Sequence, residues 1–165
     1  MASDKQRPDP QKSLVGFVVG DVAYAVPISS VKEIVNPVLL TELPHTPRAV
    51  AGVADHRGEV VPIVDLRIRF GLPRAQDPRK GKWILVDVEG KTVGLAVDRV
   101  TEVFGTAGAE LRSPPNLGGG EDVRGILGVT TYDGVLTFVL DVSRFEVIQA
   151  ALSEHLLSAA AEARR

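Results

Sequence analysis

The stretch "GVADHRGEVVPIVDL" (residues 52–66) decides the fold class of this chain. An apolar run reaches a glycine turn at Arg57-Gly58 and a second apolar run follows it, which is the pattern of a β-hairpin. The stretch "GVTTYDGVLTFVLDV" (residues 128–142) repeats this order 76 positions later, with its turn at Asp133-Gly134. Both copies end in an aspartate, and the repetition indicates two related β-subdomains.

A second pair of segments supports the repeat. "SVKEIV" (residues 30–35) and "RVTEVF" (residues 99–104) share a V-x-E motif at a spacing of 69. Each is preceded by a predicted hairpin, one turning at Gly20-Asp21 and one at Glu89-Gly90. Each half thus contains a hairpin, the V-x-E segment, a loop and a second hairpin. Short apolar runs separated by glycine turns are typical of small β-barrels.

Helical signals are few. Pro27 fits a first helical turn and predicts one or two turns over residues 28–35. Ser143 and Glu146 have the spacing of a capping box, and apolar residues recur behind them at helical intervals. We therefore predict a disordered tail over residues 1–12, a β domain over residues 13–148 divided into 13–80 and 81–148, and a C-terminal helix over residues 149–165.

The composition narrows the function classes. A chain of 165 residues with 44% hydrophobic residues can form a packed core. Because cysteine is absent, disulfides, thiolate zinc sites and cysteine nucleophiles are excluded. The net charge of −2 gives no electrostatic reason to expect nucleic acid or an anionic membrane as a partner. The polar first dozen residues and the lack of a long apolar run predict a soluble, intracellular protein without membrane insertion.

The tripeptide Asp55-His56-Arg57 allows two interpretations. It could serve acid–base catalysis, or it could be the exposed tip of a hairpin offered to a partner. Catalysis needs a second converging group, and the sequence shows no histidine or carboxylate spacing typical of a metal site. We predict no catalytic residue, no metal and no cofactor. Asp65 and Asp141 are predicted to accept hydrogen bonds from the backbone of the turns that follow them.

A basic stretch between residues 67 and 82 suggests a different function class, that of a nucleic-acid-binding β-barrel. Arginine pairs with phosphate and aromatic rings stack on bases in such proteins. Only Phe70 and Trp83 lie nearby, and the whole chain is acidic. A solvated basic loop is the simpler interpretation. The apolar residues of the V-x-E segments are predicted to be mostly core, although facing edges could line a groove for a partner helix.

Four ordered segments resemble the CheW family of chemotaxis coupling proteins. "FVVGDVAYAVPISSVKEI" resembles the opening hairpin of the family, and "GVADHRGEVVPIVDLRIRFGLP" resembles its most diagnostic segment. "TVGLAVDRVTEVF" and "VRGILG" with "VLTFVLDVSRF" resemble later elements. The resemblance runs from about Leu14 to Phe145. It implies a mainly β fold of two SH3-like five-stranded β-barrels with a shared apolar core, a short helix after the first hairpin and a C-terminal helix.

The resemblance also implies a function. Such proteins are adaptors without enzymatic activity that join the regulatory domain of a CheA-type histidine kinase to the cytoplasmic tip of a methyl-accepting chemoreceptor. Other CheW-like proteins are further expected partners, and the expected location is the cytoplasm, at polar or clustered receptor arrays. A CheW-like decoy or adaptor without productive kinase coupling is the alternative within the same class.

Site residues follow from the resemblance by matching position. The implied receptor-binding residues are Val31, Glu33, Arg57, Gly58, Val100 and Val103. The implied kinase and ring contacts are Gly52, Arg112 and Leu117. Asp55 and His56 stand where the family motif has Asn-Leu, so we expect them to determine partner preference. Leu117 replaces a phenylalanine common in relatives, which predicts weaker ring contacts.

Overall fold

Ten strands in two five-stranded sheets form the fold of the computed structural model, which describes residues 13–105, 111–113 and 125–153. The strands are β1 (Ser13–Val19), β2 (Val22–Pro27), β3 (Val31–Val35), β4 (Val50–His56), β5 (Glu59–Asp65), β6 (Lys82–Val88), β7 (Lys91–Val97), β8 (Arg99–Gly105), β9 (Ile126–Tyr132) and β10 (Val135–Leu140). Two short α-helices follow β5 and β10, α1 (Leu66–Arg69) and α2 (Glu146–Ala151). Single 3₁₀ turns lie at Ile28–Ser30, Pro78–Lys80 and Val142–Arg144.

The two halves of the sequence exchange their first hairpins. Sheet A has the strand order β8-β1-β2-β10-β9, and sheet B has the order β3-β6-β7-β5-β4. Hairpin β1–β2 therefore joins the second half of the chain, while β6–β7 joins the first half. The predicted division into residues 13–80 and 81–148 follows the sequence repeat, but it does not follow the sheets. Local turn signals could not show this, because the exchange depends on the long-range pairings β1–β8, β2–β10, β3–β6 and β5–β7.

The two sheets have matching registers of strand pairing. Leu14 pairs with Phe104 in sheet A as Trp83 pairs with Val35 in sheet B. Tyr132 pairs with Val135 as His56 pairs with Glu59. These equivalences keep the spacings of 69 and 76 that the sequence shows. The predicted internal repeat is therefore a structural repeat, down to the irregularities in the edge-strand pairings.

Three predicted hairpin turns have the backbone that their sequences require. Arg57, Glu89 and Asp133 have φ values of 52°, 52° and 50°, and the glycine after each also has a positive φ. Positive φ at both central residues is the type I′ arrangement that matches the twist of two-residue hairpins.

The shared core lies between the sheets. One cluster of buried residues joins Val15, Phe17 and Val19 of sheet A to Ile84, Val86 and Leu95 of sheet B. Aromatic rings extend it. Tyr24 of β2 stacks on Phe70, which follows α1, at 4.6 Å between ring centroids. Phe70 in turn meets the edge of Phe145 at 6.2 Å. The predicted common apolar core is confirmed.

The helical predictions need two corrections. After the 3₁₀ turn at Ile28–Ser30, residues 31–35 form strand β3, which pairs with β6. Its side chains alternate between half-buried and exposed, as in a strand with one face toward the core. Ser143 does not cap α2, since it lies inside the preceding 3₁₀ turn and Phe145 is the residue before α2. The C-terminal helix begins at Glu146 rather than at residue 149, and its described part ends at Ala151. The predicted tail over residues 1–12 and residues 154–165 lie outside the described residues.

Asp65 and Asp141 perform the predicted structural task. Asp65 Oδ1 accepts the Arg67 backbone N–H at 2.9 Å, and Asp141 Oδ1 accepts the Ser143 N–H at 3.1 Å. Each carboxylate thus satisfies a backbone donor at the start of the turn that leaves its strand.

Candidate functional site

Three side chains, one from β3 and two from the end of hairpin β4–β5, meet where the two edge strands of sheet B approach each other. The carboxylate of Glu33, on β3, accepts from Arg57 Nη2 at 2.9 Å through Oε1. Its second oxygen, Oε2, lies 3.0 Å from His56 Nε2. We call Glu33, His56 and Arg57 the Glu33 cluster. Glu33 lies 23 positions before His56 and 24 positions before Arg57 in the sequence. The three meet because β3 and the β4–β5 turn border the same subdomain.

The cluster orients its donors without burying them. An ionised carboxylate only accepts hydrogen bonds, so the imidazole must carry a proton on Nε2 to bond Glu33. The side chains of Glu33 and His56 are 32% and 26% exposed, whereas Arg57 is 76% exposed. The guanidinium is thus tethered at one nitrogen and open to solvent over most of its surface. Its remaining N–H groups can bond a partner.

Asp55 does not join the cluster. Its Oδ1 accepts the Gly58 backbone N–H at 2.9 Å, so the carboxylate stabilises the turn that displays Arg57. Asp55 and His56 are successive strand residues and point to opposite sides, which leaves no converging acid–base pair. The Asp55 carboxylate thus holds the turn, and the turn presents the Arg57 side chain to solvent.

Sheet A contains an equivalent of the cluster. Glu102 occupies the position of Glu33, and Tyr132 occupies the position of His56. A hydrogen bond to the Glu102 carboxylate raises the pKa of the Tyr132 hydroxyl, since it favours the protonated phenol. The glutamate of both V-x-E segments therefore binds the last residue of the adjacent hairpin strand. The equivalent of Arg57 is Asp133, so only sheet B offers a cation there.

The four apolar V-x-E residues divide into two kinds. Val31 and Val100 pack against the shared core. Val103 is 47% exposed on β8, and Ile34, its equivalent on β3, is 40% exposed. Ile34 was not among the predicted contact residues, although the spacing of 69 relates it to Val103. Of the four, Ile34 and Val103 therefore expose their apolar side chains, whereas Val31 and Val100 pack inward against the core.

Of the predicted kinase and ring contacts, Gly52 lies on β4 of sheet B and Arg112 pairs with Val129 of sheet A. Gly52 is buried, and a Cβ on it would stand 2.5 Å from the Thr41 carbonyl oxygen, which explains why glycine is needed there. Arg112 is exposed and donates to Thr131 Oγ1 at 2.8 Å on sheet A. Leu117 lies outside the described residues. A neighbouring apolar surface on sheet A exposes roughly half of three aliphatic side chains, Leu127, Val135 and Leu136.

A small pocket opens beside the Glu33 cluster. Its volume is about 90 Å³, and its apolar wall includes Val35, Trp83, Leu85 and Ile63. Asn36, Asp55, His56 and Arg57 form its polar side. The sequence analysis missed this pocket. Trp83 was noticed only as a neighbour of the basic stretch, and nothing in a linear pattern shows that strand ends leave a space.

The basic stretch does not form an open cationic groove. Arg67 Nη1 lies 2.6 Å from Asp98 Oδ2, and the Arg69 guanidinium stacks 4.7 Å above the ring of Phe145. Arg79 pairs with Asp77 at 3.3 Å, and Lys82 bonds Asn36. These contacts direct most of the charges toward the protein itself. Within the described ranges no group of metal-ligating side chains is found, and no helix there is long and apolar enough to cross a membrane.

Comparison with known proteins identifies the family. Residues 13–147 match the family model described as the CheW-like domain. The chain belongs to the CheW family. It is 31% identical to chemotaxis protein CheW of Treponema pallidum over 82% of each chain. It is 37% identical to protein FrzA of Myxococcus xanthus, over 76% of this chain and 78% of FrzA.

A solved CheW structure has the same fold. The scaffolding protein TtCheW from Thermoanaerobacter tengcongensis matches with a TM-score of 0.72 and 28% identity, over 79% of this chain and 89% of TtCheW. The expected fold class, two SH3-like subdomains, is thereby confirmed. As a CheW-family member, this chain is a chemotaxis scaffold adaptor in signal transduction.

Proposed function

We propose that this chain is a non-catalytic adaptor that couples methyl-accepting chemoreceptors to a CheA-type histidine kinase. It acts in the cytoplasm, at clustered receptor arrays. The receptor partner is the cytoplasmic hairpin tip, and the kinase partner is the regulatory domain. Membership of the CheW family supports the scaffold role. The geometry supports the receptor assignment, through the exposed arginine that the Glu33 cluster presents.

The carrying observation is the mixed character of the surface where β3 meets the end of hairpin β4–β5. A largely exposed guanidinium, held by the Glu33 carboxylate, lies on the rim of a pocket with an apolar wall. Ile34 on β3 is 40% exposed. Polar and apolar groups placed side by side suit a helical hairpin whose tip is polar and whose flanks carry apolar residues. Val103 extends the same kind of surface on the equivalent strand of sheet A.

Signal transfer follows from differential binding. An adaptor changes kinase output only if it binds the active and inactive states of kinase or receptor with different affinity. Each contact can be weak, because many contacts in an array act together through their high effective concentration. Gly52, Arg112 and Leu117 remain the proposed kinase and ring contacts. Because Gly52 is buried, we propose that the backbone of edge strand β4 around it makes that contact.

Asp55 and His56 are proposed to set partner preference. Asp55 holds the Arg57 turn, and His56 shares the Glu33 carboxylate with Arg57. The two residues thus influence the position of the arginine that would contact a receptor and the charge that surrounds it. Pull-downs against several receptors of the same organism test the preference, and equal recovery of all receptors contradicts it.

The test of the proposed function is charge reversal at Arg57. We expect Arg57→Glu to abolish co-sedimentation with receptor-containing membranes, because the new carboxylate faces Glu33 and repels receptor carboxylates. An exposed ion pair contributes only about 0–1 kcal/mol to stability, so the fold should survive. Binding to the kinase regulatory domain, measured by calorimetry, should be unchanged.

Arg79→Glu is the matched control. Arg79 is also an exposed arginine with a carboxylate partner, but it lies in the turn before β6, away from the cluster. We expect Arg79→Glu to leave receptor binding intact. If Arg57→Glu still co-sediments with receptor membranes, the receptor site is wrong. If wild-type protein binds receptors but not the kinase domain, the chain is an adaptor without productive kinase coupling.

A further inference from the structure

The two subdomains differ at one end of their interiors. In sheet A the rings of Phe104 and Tyr132 stack face to face, with centroids 4.0 Å apart and an angle of 17° between their planes. Phe104 is only 7% exposed, so this pair closes the interior of the subdomain. The equivalent residues of sheet B are Val35 and His56. These are smaller or polar side chains, and both line the pocket of about 90 Å³.

The equivalence is set by strand pairing. Phe104 opposes Leu14 on β1, and Val35 opposes Trp83 on β6. The interior of sheet B partly compensates, because Trp83 and Leu85 replace Leu14 and Gly16. Space nevertheless remains beside Val35, where sheet A carries its own ring. The pocket is therefore a position that sheet A fills with the Phe104 ring and that sheet B leaves partly open.

We propose that this pocket receives one aliphatic side chain of the receptor hairpin that contacts the Glu33 cluster. This inference rests on the proposed function and names a side chain that the partner must supply. The volume favours a small occupant, since an engineered apolar cavity that binds benzene has roughly 150 Å³. A pocket of about 90 Å³ suits a leucine, isoleucine or valine side chain rather than an aromatic ring.

The rim of the pocket defines what accompanies that side chain. Arg57 lines the pocket and is 76% exposed, so its unpaired N–H groups face whatever enters. Asn36 adds a side-chain amide on the other side. The fitting ligand is thus a protein segment with an aliphatic side chain next to a carboxylate or carbonyl acceptor. Binding hot spots lie in desolvated pockets, and arginine is one of the residue types enriched in them, so Arg57 beside the pocket fits this arrangement.

Trp83 provides a direct measurement. It is the single tryptophan of the chain, it lines the pocket, and it is 5% exposed. The full chain is titrated with a tryptophan-free fragment of the receptor's cytoplasmic hairpin while tryptophan emission is recorded. Occupation of the pocket should produce a small shift of the emission to shorter wavelength and reduce quenching by acrylamide, because the entering side chain displaces solvent from the pocket that the buried indole lines.

Val35→Phe tests the pocket itself. It restores the residue of sheet A, so the fold should be retained with an unchanged or higher melting temperature. We expect receptor-fragment affinity to fall at least tenfold and the emission shift to disappear. Val35→Leu is a smaller change that keeps the test valid if phenylalanine does not fit. The matched control is Val22→Phe, on β2 of sheet A, where the valine is already 38% exposed; its affinity should stay within twofold of wild type.

The outcomes separate the two proposals. If wild type binds the fragment and both Val35 variants bind it equally well, the pocket proposal is wrong and the proposed function stands. If the Val35 variants lose only binding to the kinase regulatory domain, the occupant has been misassigned and the proposal is also overturned. If wild type and the Val22→Phe control both fail to bind the receptor fragment, the proposed function itself fails and the pocket proposal falls with it.

Discussion

The substitution Phe104→Val should open in sheet A the space that sheet B already has. Phe104 is buried and stacks on Tyr132, and its equivalent in sheet B is a valine beside a pocket of about 90 Å³. A cavity costs about 24 cal/mol per Å³ in addition to the lost transfer free energy. A void of similar size therefore costs about 2 kcal/mol. The lost transfer free energy and the loss of an aromatic pair add about 1 kcal/mol each. We expect a total loss of about 4 kcal/mol in the free energy of unfolding.

Urea denaturation measures this loss. Far-ultraviolet circular dichroism reports both sheets, and Trp83 fluorescence reports sheet B. Because one core cluster joins the sheets, both signals should shift together to lower urea concentration. Val103→Ala is the control on the same strand, since this valine is 47% exposed and its truncation should cost about 0.5 kcal/mol or less.

One result would refute the reasoning. If Phe104→Val costs no more than Val103→Ala, the Phe104 ring does not close the interior of sheet A. The contrast between the closed end of sheet A and the open end of sheet B would then have no energetic basis. The pocket in sheet B could no longer be interpreted as a position that the fold fills.

Two further predictions concern the turns. Burial raises the pKa of Asp65 despite its hydrogen bonds from backbone N–H groups, so the folded state binds a proton more tightly than the unfolded state. Asp65→Asn keeps the acceptor for the Arg67 N–H but stays neutral. Its stability relative to wild type should therefore rise as the pH increases from about 4 toward neutrality, and converge with wild type in acid, whereas Asp65→Ala should lose about 1 kcal/mol. An opposite pH trend in urea titrations would contradict this sign. Gly58→Ala should cost about 1 kcal/mol, because φ is +83° but no atom lies near the added Cβ. Gly52→Ala should cost clearly more, since its Cβ would stand 2.5 Å from the Thr41 carbonyl oxygen; equal melting temperatures would contradict the contact.

The sequence was sufficient for the local structure. Turn dipeptides such as Asp133-Gly134 need positive φ at both positions, and that requirement is readable without a fold. The spacings of 69 and 76 likewise showed that the halves repeat, and the terminal aspartates Asp65 and Asp141 showed where strands end. The V-x-E segment after Pro27 was predicted to be helical, because its apolar spacing over five residues does not distinguish a helical turn from a short edge strand.

The tertiary structure alone decided which strands share a sheet and which side chains form the site. Exchange of the first hairpins depends on pairings between residues 31 to 114 positions apart, and pairing over such distances leaves no local signal. Glu33 and Arg57 meet only because an edge strand and a hairpin tip border the same subdomain. The pocket beside them exists because one subdomain carries valine and histidine where the other carries two stacked rings. The sequence by itself determined the repeat. That Val35 and His56 leave a pocket where the other copy has two stacked rings depends on the folded structure of both copies.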